Sequence, residues 1–231
     1  KYNVLLTGFC PFRKRPVNGS WLAVKRFNEK SLKNKNITIE CKCIEVPVVW
    51  GEPQKVIEPI CNSENCPDII ISFGEASKVF EIETVARKHR SAEATDEHFN
   101  TPTKIEIYDD GEDLYEACFD AHSVMSRILE KQKIKLPWVI SKDAGQYLCD
   151  EMFYTCETQR RKLANEKIQL SAFIHVPVFG TQIQLVDSEE TIECDEDLLE
   201  KVAENVILSF VEELEERKQL EKKSDKEEQN E

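Results

Sequence analysis

Cys149 lies in the run Ile140-Ser141-Lys142-Asp143-Ala144-Gly145-Gln146-Tyr147-Leu148-Cys149-Asp150, just past a glycine-containing turn and in the expected first turn of a helix. That position can activate a thiol. Unpaired N–H groups and the positive end of the helix dipole favour the thiolate, lowering a pKa that is otherwise about 8.5. Asp150 and Glu151 oppose the effect, so the chemistry also needs a nearby cation. The bland alternative is a small buried hydrophobe, the usual role of a free cysteine.

A nucleophile needs a proton carrier, and the chain has four histidines. His175 stands in Ser171-Ala172-Phe173-Ile174-His175-Val176-Pro177, where alternation sets Phe173 and His175 against Ala172, Ile174 and Val176, and Pro177 ends the ladder. His175 is therefore expected at the C-terminal end of a strand, the edge where open α/β sheets bind ligands and where Cys149 follows its own strand. His89, His98 and His122 fall in a polar loop or on a helix. Taken alone, His175 also fits a satisfied core or rim position. Glu83, in Phe80-Glu81-Ile82-Glu83-Thr84-Val85, is a carboxylate among apolar neighbours that can orient and charge-stabilise an imidazolium. Glu81 shares its face, and an ordinary exposed strand residue is the competing reading.

Other groupings carry less. Cys41 with Cys43 and Cys61 with Cys66 lack the C-x2-C spacing of structural zinc sites, and core packing explains the first pair. Gly74-Glu75-Ala76-Ser77 lacks the glycine series and lysine of a phosphate loop. Neither a metal nor an organic cofactor is expected.

The elements that must position these groups alternate between short β-rich runs and helical periods. Strands are expected at 2–7, 37–48, 67–74, 79–85, 138–141 and 170–176. Helices are expected after Ser20, at 51–60, at 114–132, after Gly145, and at 196–220. The order predicts an α/β fold, a single three-layer α/β/α domain over residues 1–220 around an open, twisted, mostly parallel sheet. Residues 91–112 form a long polar loop of the kind that covers a site or moves. Residues 221–231 read as an acidic, disordered tail.

Composition excludes whole classes. With 31 Lys and Arg against 44 Asp and Glu, the net charge of -13 offers no basic field for nucleic acid or anionic membranes. Apolar runs are strand-length, far short of the roughly 20 residues of a membrane helix. The apolar run after Lys1 is also too short for a secretory signal, and the absent initiator Met reads as a few residues lost before Lys1. Nine cysteines, an odd number without regular spacing, point to a reducing cytoplasm.

Four segments together resemble pyroglutamyl-peptidase I, the pyrrolidone-carboxylate cysteine peptidase family, and look most like its animal members. They are Leu5-Leu6-Thr7-Gly8-Phe9-Cys10-Pro11-Phe12 with Val17-Asn18-Gly19-Ser20-Trp21-Leu22-Ala23-Val24, then Ile82-Glu83, the Cys149 run and the His175 run. The likeness reaches from the first strand to about residue 214. It implies that Cys149 is the nucleophile, His175 the base and then the acid, and Glu83 the residue orienting His175. Phe9 and Phe12 become apolar walls for a five-membered lactam, and Asn18 its hydrogen-bonding partner. The implied substrates are N-terminally pyroglutamylated peptides, and the implied state is a monomer. Two departures stand out: Glu75 sits near a Gln of microbial members, where a carboxylate would repel the lactam carbonyl, and Lys88 replaces a common Asn. The alternative is a catalytically impaired member that binds peptides or a partner.

Overall fold

The computed structural model describes residues 1–76, 78–163 and 167–228. Its centre is β1 (Tyr2–Phe9), buried along all but Asn3 because parallel neighbours and helices cover both faces. Around it the sheet runs β2 (Ser31–Asn34), β3 (Ile37–Val46), β1, β4 (Ile69–Glu75), β9 (Leu170–Val176), β5 (Phe80–Glu83), β8 (Trp138–Ser141). Four of the six neighbouring pairs are parallel; β2–β3 and β9–β5 are antiparallel. The expected three-layer α/β architecture is present.

Two apolar clusters flank the sheet. One gathers α1 (Gly19–Val24), α3 (Ala121–Lys131) and α5 (Glu196–Glu228) against Ala172, Ile174 and Val176. The other gathers α2 (Glu52–Cys61) and α4 (Leu148–Lys162) against Phe173. The alternation read in β9 is thus the division between the layers.

Several local expectations are corrected. The periodicity at 114–132 splits into a strand, β7 (Leu114–Glu116), paired with β6 (Val85–Arg87), and then α3. Asp120 decides the split, its carboxylate accepting from the N–H groups of His122 and Ser123 and so capping the helix there. The strand expected at 37–48 stops at Val46, and the hairpin partner β2 was not anticipated. Neither was the small hairpin of β10 (Gln182–Gln184) and β11 (Thr191–Glu193). Helix α5 continues to Glu228, beyond the apolar spacing that ends near 220, in a Glu- and Lys-rich stretch of good helix formers. Residues 229–231 of the expected tail lie outside the described residues.

Candidate active site

His175 and Glu83 meet across the antiparallel pair β9–β5. His175 is 3% exposed and Glu83 0%, and Nδ1 lies 2.7 Å from Glu83 Oε1. An ionised carboxylate only accepts, so Nδ1 carries the proton and Nε2 is left for Cys149, to which the imidazole is also hydrogen-bonded. Burial alone would lower the pKa of His175. The charge and hydrogen bond of Cys149, followed by those of Glu83, outweigh it and push His175 up to about 10. Phe173 packs its ring edge-on against the imidazole, with centroids 5.0 Å apart.

Glu81, Glu83 and His175 present donor atoms within 4.8 Å of one another, the set a cation would choose. The proton on Nδ1 already links the imidazole to Glu83, and Glu81 Oε2 lies 3.8 Å from the same nitrogen. A metal would have to displace that proton.

Cys149 arrives by a route the sequence did not suggest. Strand β8 runs antiparallel to β9, so its own end does not point to the edge where His175 lies. Residues 142–147 reverse the chain, with Gly145 at φ 90° and Gln146 at φ 52°. Gly145 suits the left-handed region; Gln146 holds it at a cost, as residues beside sites often do. Helix α4 then starts at Leu148 without a side-chain cap on Tyr147, and the first carbonyl bond is from Glu151 N–H to Tyr147 O. The N–H groups of Leu148 and Cys149 therefore have no carbonyl a turn earlier to take them.

The cations required beside Asp150 and Glu151 are Arg87 and Arg90. Asp150 accepts from the Arg87 N–H at 2.8 Å and from Gln146 N–H at 3.1 Å, with the Arg87 guanidinium 3.7 Å away. Burial still raises its carboxyl to about 6 against those contacts. Glu151 is held by both nitrogens of an Arg90 fork, at 2.8 and 2.7 Å, and takes the Gly51 N–H as well. Arg90 also donates to Lys104 O and Glu106 O, tying the 91–112 loop to the base of α4.

Gly74 is the seat of the Cys149 sulfur. It pairs with His175 in register, and a Cβ there would fall 2.8 Å from Cys149 Sγ and 2.9 Å from the Phe173 ring. Only a glycine leaves the sulfur its place. In the sequence Gly74 reads only as a strand end that lacks the marks of a phosphate loop, since its signal here is a strand pairing.

The expected lactam-binding residues are spread around this centre. Phe9 is buried in the cluster that Phe12, Tyr147 and Cys149 pack against. Phe12 lies 5.8 Å from the Tyr147 ring, and Trp50 meets Tyr147 edge-on at 5.0 Å. Tyr147 Oη donates to Thr95 O, and Trp50 Nε1 to Asn100 O, so the long loop backs the aromatic wall. Tyr147, Trp50, Arg87 and Arg90 were all missed in the sequence. Asn18 caps α1, accepting from Ser20 N–H and Oγ and donating to Cys10 O. Glu75 accepts from the N–H groups of Gly19 (2.8 Å) and Phe179 (2.9 Å) and pairs with Arg15. Lys88 donates to Asp109 O and Gly111 O at 3.2 Å each.

Residues 2–212 match the family model of pyroglutamyl peptidase. The pyrrolidone-carboxylate peptidase of Brachyspira hyodysenteriae is 32% identical over 206 residues, 88% of this chain and 96% of its own length. The crystal structure of pyroglutamyl peptidase I from Bacillus amyloliquefaciens superposes with a TM-score of 0.74 at 26% identity, covering 90% of this chain and 96% of that one. The pyrrolidone carboxyl peptidase of Fervidobacterium islandicum gives 0.75 at 26%, covering 92% and 99%. The special likeness to animal members is not borne out, since these relatives are bacterial. On this match the chain belongs to the pyroglutamyl peptidase family.

Proposed function

We propose that this protein is a cysteine omega-exopeptidase that hydrolyses the bond after an N-terminal pyroglutamyl residue and releases pyroglutamate. The observation that carries the reading is the buried His175 between the Glu83 carboxylate and Cys149, in a chain of this family.

The Cys149 thiolate attacks the carbonyl that follows the lactam. The N–H groups of Leu148 and Cys149 hold the oxyanion, aided by the helix dipole. His175, protonated at neutral pH, gives the Nε2 proton to the leaving amine, while Glu83 keeps Nδ1 bound and the ring aligned. Neutral His175 then takes a proton from water, which attacks the thioester and frees pyroglutamate and the thiolate. The carboxylate on Glu83 offsets the imidazolium charge throughout.

Specificity follows from what the pocket lacks. Phe9 and Phe12 offer a small neutral lactam two apolar faces, with Asn18 as its polar contact through the one amide hydrogen left over from its cap. A free N-terminal ammonium would lose its water there without a partner. Glu75 spends its carboxylate on Gly19, Phe179 and Arg15, which speaks against repulsion of the lactam by that residue. We assign the active form as a monomer in the cytoplasm, where nine unpaired cysteines, Cys149 among them, stay reduced. No helix among the described residues is long and apolar enough to cross a membrane.

Fluorophore release from a pyroglutamyl amide in reducing buffer tests the assignment. Wild type releases it, and Cys149→Ser and His175→Ala do not. No release by wild type, or equal release by the variants, refutes it.

A further inference from the structure

Asp150 follows Cys149 in the first turn of α4 and is 1% exposed, a buried acid to which the proposed reaction gives no part. Both of its oxygens are occupied, and both by backbone donors. Oδ1 accepts the Arg87 N–H at 2.8 Å, and Oδ2 accepts the Gln146 N–H at 3.1 Å. The second contact reaches back past Tyr147, which stands at the start of α4 without giving it a side-chain cap. An acid three residues further on that takes an N–H from ahead of the helix supplies one half of a capping box.

Gln146 is a residue that needs holding, since its φ of 52° lies in the left-handed region that side chains disfavour. Asp150 takes its N–H and the Ser91 N–H is donated to its carbonyl at 2.8 Å, so the peptide units on both sides of it are fixed. Arg87 attaches the other end of the turn to β6. Its guanidinium donates to Asp143 Oδ1 at 2.9 Å and to Lys142 O at 2.7 Å. Residues 142–147 are thus clamped to β6 at both ends, and the exit of this turn sets the direction of the Leu148 and Cys149 N–H groups.

We infer that Asp150, as the carboxylate, is the positioning residue of the oxyanion-binding amides, and that its protonation switches the enzyme off. The inference rests on the peptidase reading above. A carboxylate accepts at both oxygens, whereas the neutral acid keeps one good acceptor and turns a donor toward the other N–H. Protonation therefore costs one of the two contacts, and the first turn of α4 loses its alignment. The charged groups about Asp150 are Arg87 on β6, Asp143 in the turn, and Cys149 and Glu151 on its own helix, of which Glu151 is paired with Arg90. Burial outweighs the Arg87 and Gln146 contacts and raises the carboxyl to about 6, which sets the switch just below neutral pH.

The pH dependence of turnover of the pyroglutamyl amide tests the inference. Wild type loses kcat as pH falls through about 6, with KM little changed. Asp150→Asn has one acceptor and one donor at every pH, so it keeps the low rate of the acid form throughout and shows no such limb. Its kcat at neutral pH is down by up to about 100-fold, the cost of a misplacement on the order of 1 Å. Arg87→Gln retains the backbone N–H but removes the charge that favours the carboxylate, so its limb moves to higher pH. The amide resonance of Gln146, followed by NMR in wild type, titrates together with the limb. A wild type without turnover refutes the peptidase reading and this inference with it. Turnover in wild type with no limb near 6, a limb kept in Asp150→Asn or unmoved in Arg87→Gln, or a Gln146 amide indifferent to pH overturns the inference alone.

Discussion

Glu83 Oε1 reaches His175 Nδ1 at 2.7 Å along the diagonal of a strand pair in which Glu81, not Glu83, stands opposite His175. Diagonal neighbours on one face of a sheet lie within reach of long side chains, and here the diagonal acid makes the short contact while Glu81 stops at 3.8 Å. Burial separates the two as well, since the Glu83 side chain is fully buried and that of Glu81 is 21% exposed, and a carboxylate screened by water acts on the ring more weakly.

The first prediction follows from that contact and concerns pH. The folded protein holds His175 at about 10, so it is protonated at neutral pH and loses its proton only as pH rises through that value. If His175 is the acid of the proposed reaction, the alkaline limb of kcat should report this loss of its proton. Cys149 and Glu83 supply the raising influences, so removing either must move the titration to lower pH. NMR titration of the imidazole should show the shift in Cys149→Ser and in Glu83→Gln, more in the former, whose influence is larger. Glu83→Gln should also lower kcat by about 10- to 100-fold, part of the 10²–10⁴ that acid–base catalysis contributes. An unmoved titration in both variants would remove the coupling.

Much of this site was readable as residue types, and little of it as contacts. The apolar-rich runs of β1 and β9 identify buried strands, and the boundaries of β9 are those of its sequence signal. Glu81 and Glu83 cannot be told apart by alternation, because a period of two puts both on one face; only the register of β5 against β9 separates them. Arg87 and Arg90 answer the acids beside Cys149 from about 60 positions away, a pairing that charge patterning along the chain does not reveal. The helical period at 114–132 misleads because a single cap at Asp120 outweighs the spacing before it.

Gly74→Ala tests how closely the Cys149 sulfur is seated. The added methyl would lie 2.8 Å from Cys149 Sγ and 2.9 Å from Phe173, so the sulfur, the ring or the strand must shift. A displacement on the order of 1 Å at a reacting atom can cost about 100-fold in rate. Overpacking of this kind destabilises by about 1–3 kcal/mol. Kinetics together with urea unfolding should show a rate loss much larger than the loss of folded protein explains. Wild-type kcat in the variant would mean the contact does not constrain Cys149.

Arg90→Ala should act on stability first. Arg90 and Glu151 are 7% and 0% exposed at their side chains, and removing one partner leaves a buried carboxylate without its counterion. Such a loss costs about 3–5 kcal/mol. It also frees the carbonyls of Lys104 and Glu106, so amide exchange in the 91–112 loop should accelerate beyond the global change. An unfolding midpoint in urea within error of wild type would count against the pair as the anchor of that loop.

Glu75 separates two accounts by the sign of one number. If its carboxylate repels the lactam carbonyl, Glu75→Gln should lower KM. The contacts favour the opposite result. Both oxygens are engaged, one by the N–H groups of Gly19 and Phe179 and the other by Arg15, so the side chain ties the segment bearing Phe12 and Asn18 to the ends of β4 and β9. A Gln oxygen still accepts from the two N–H groups, but its amide faces Arg15 and the ion pair is lost. With Arg15 45% exposed, that loss is at most about 1 kcal/mol, or roughly a fivefold rise in KM. Glu75→Ala should raise KM further and leave the buried Gly19 N–H unpaired, at about 1–3 kcal/mol of stability. Steady-state kinetics with the pyroglutamyl amide decides: a lower KM in Glu75→Gln restores the repulsion account, and a rise graded from Gln to Ala establishes Glu75 as the residue that positions the lactam-binding segment.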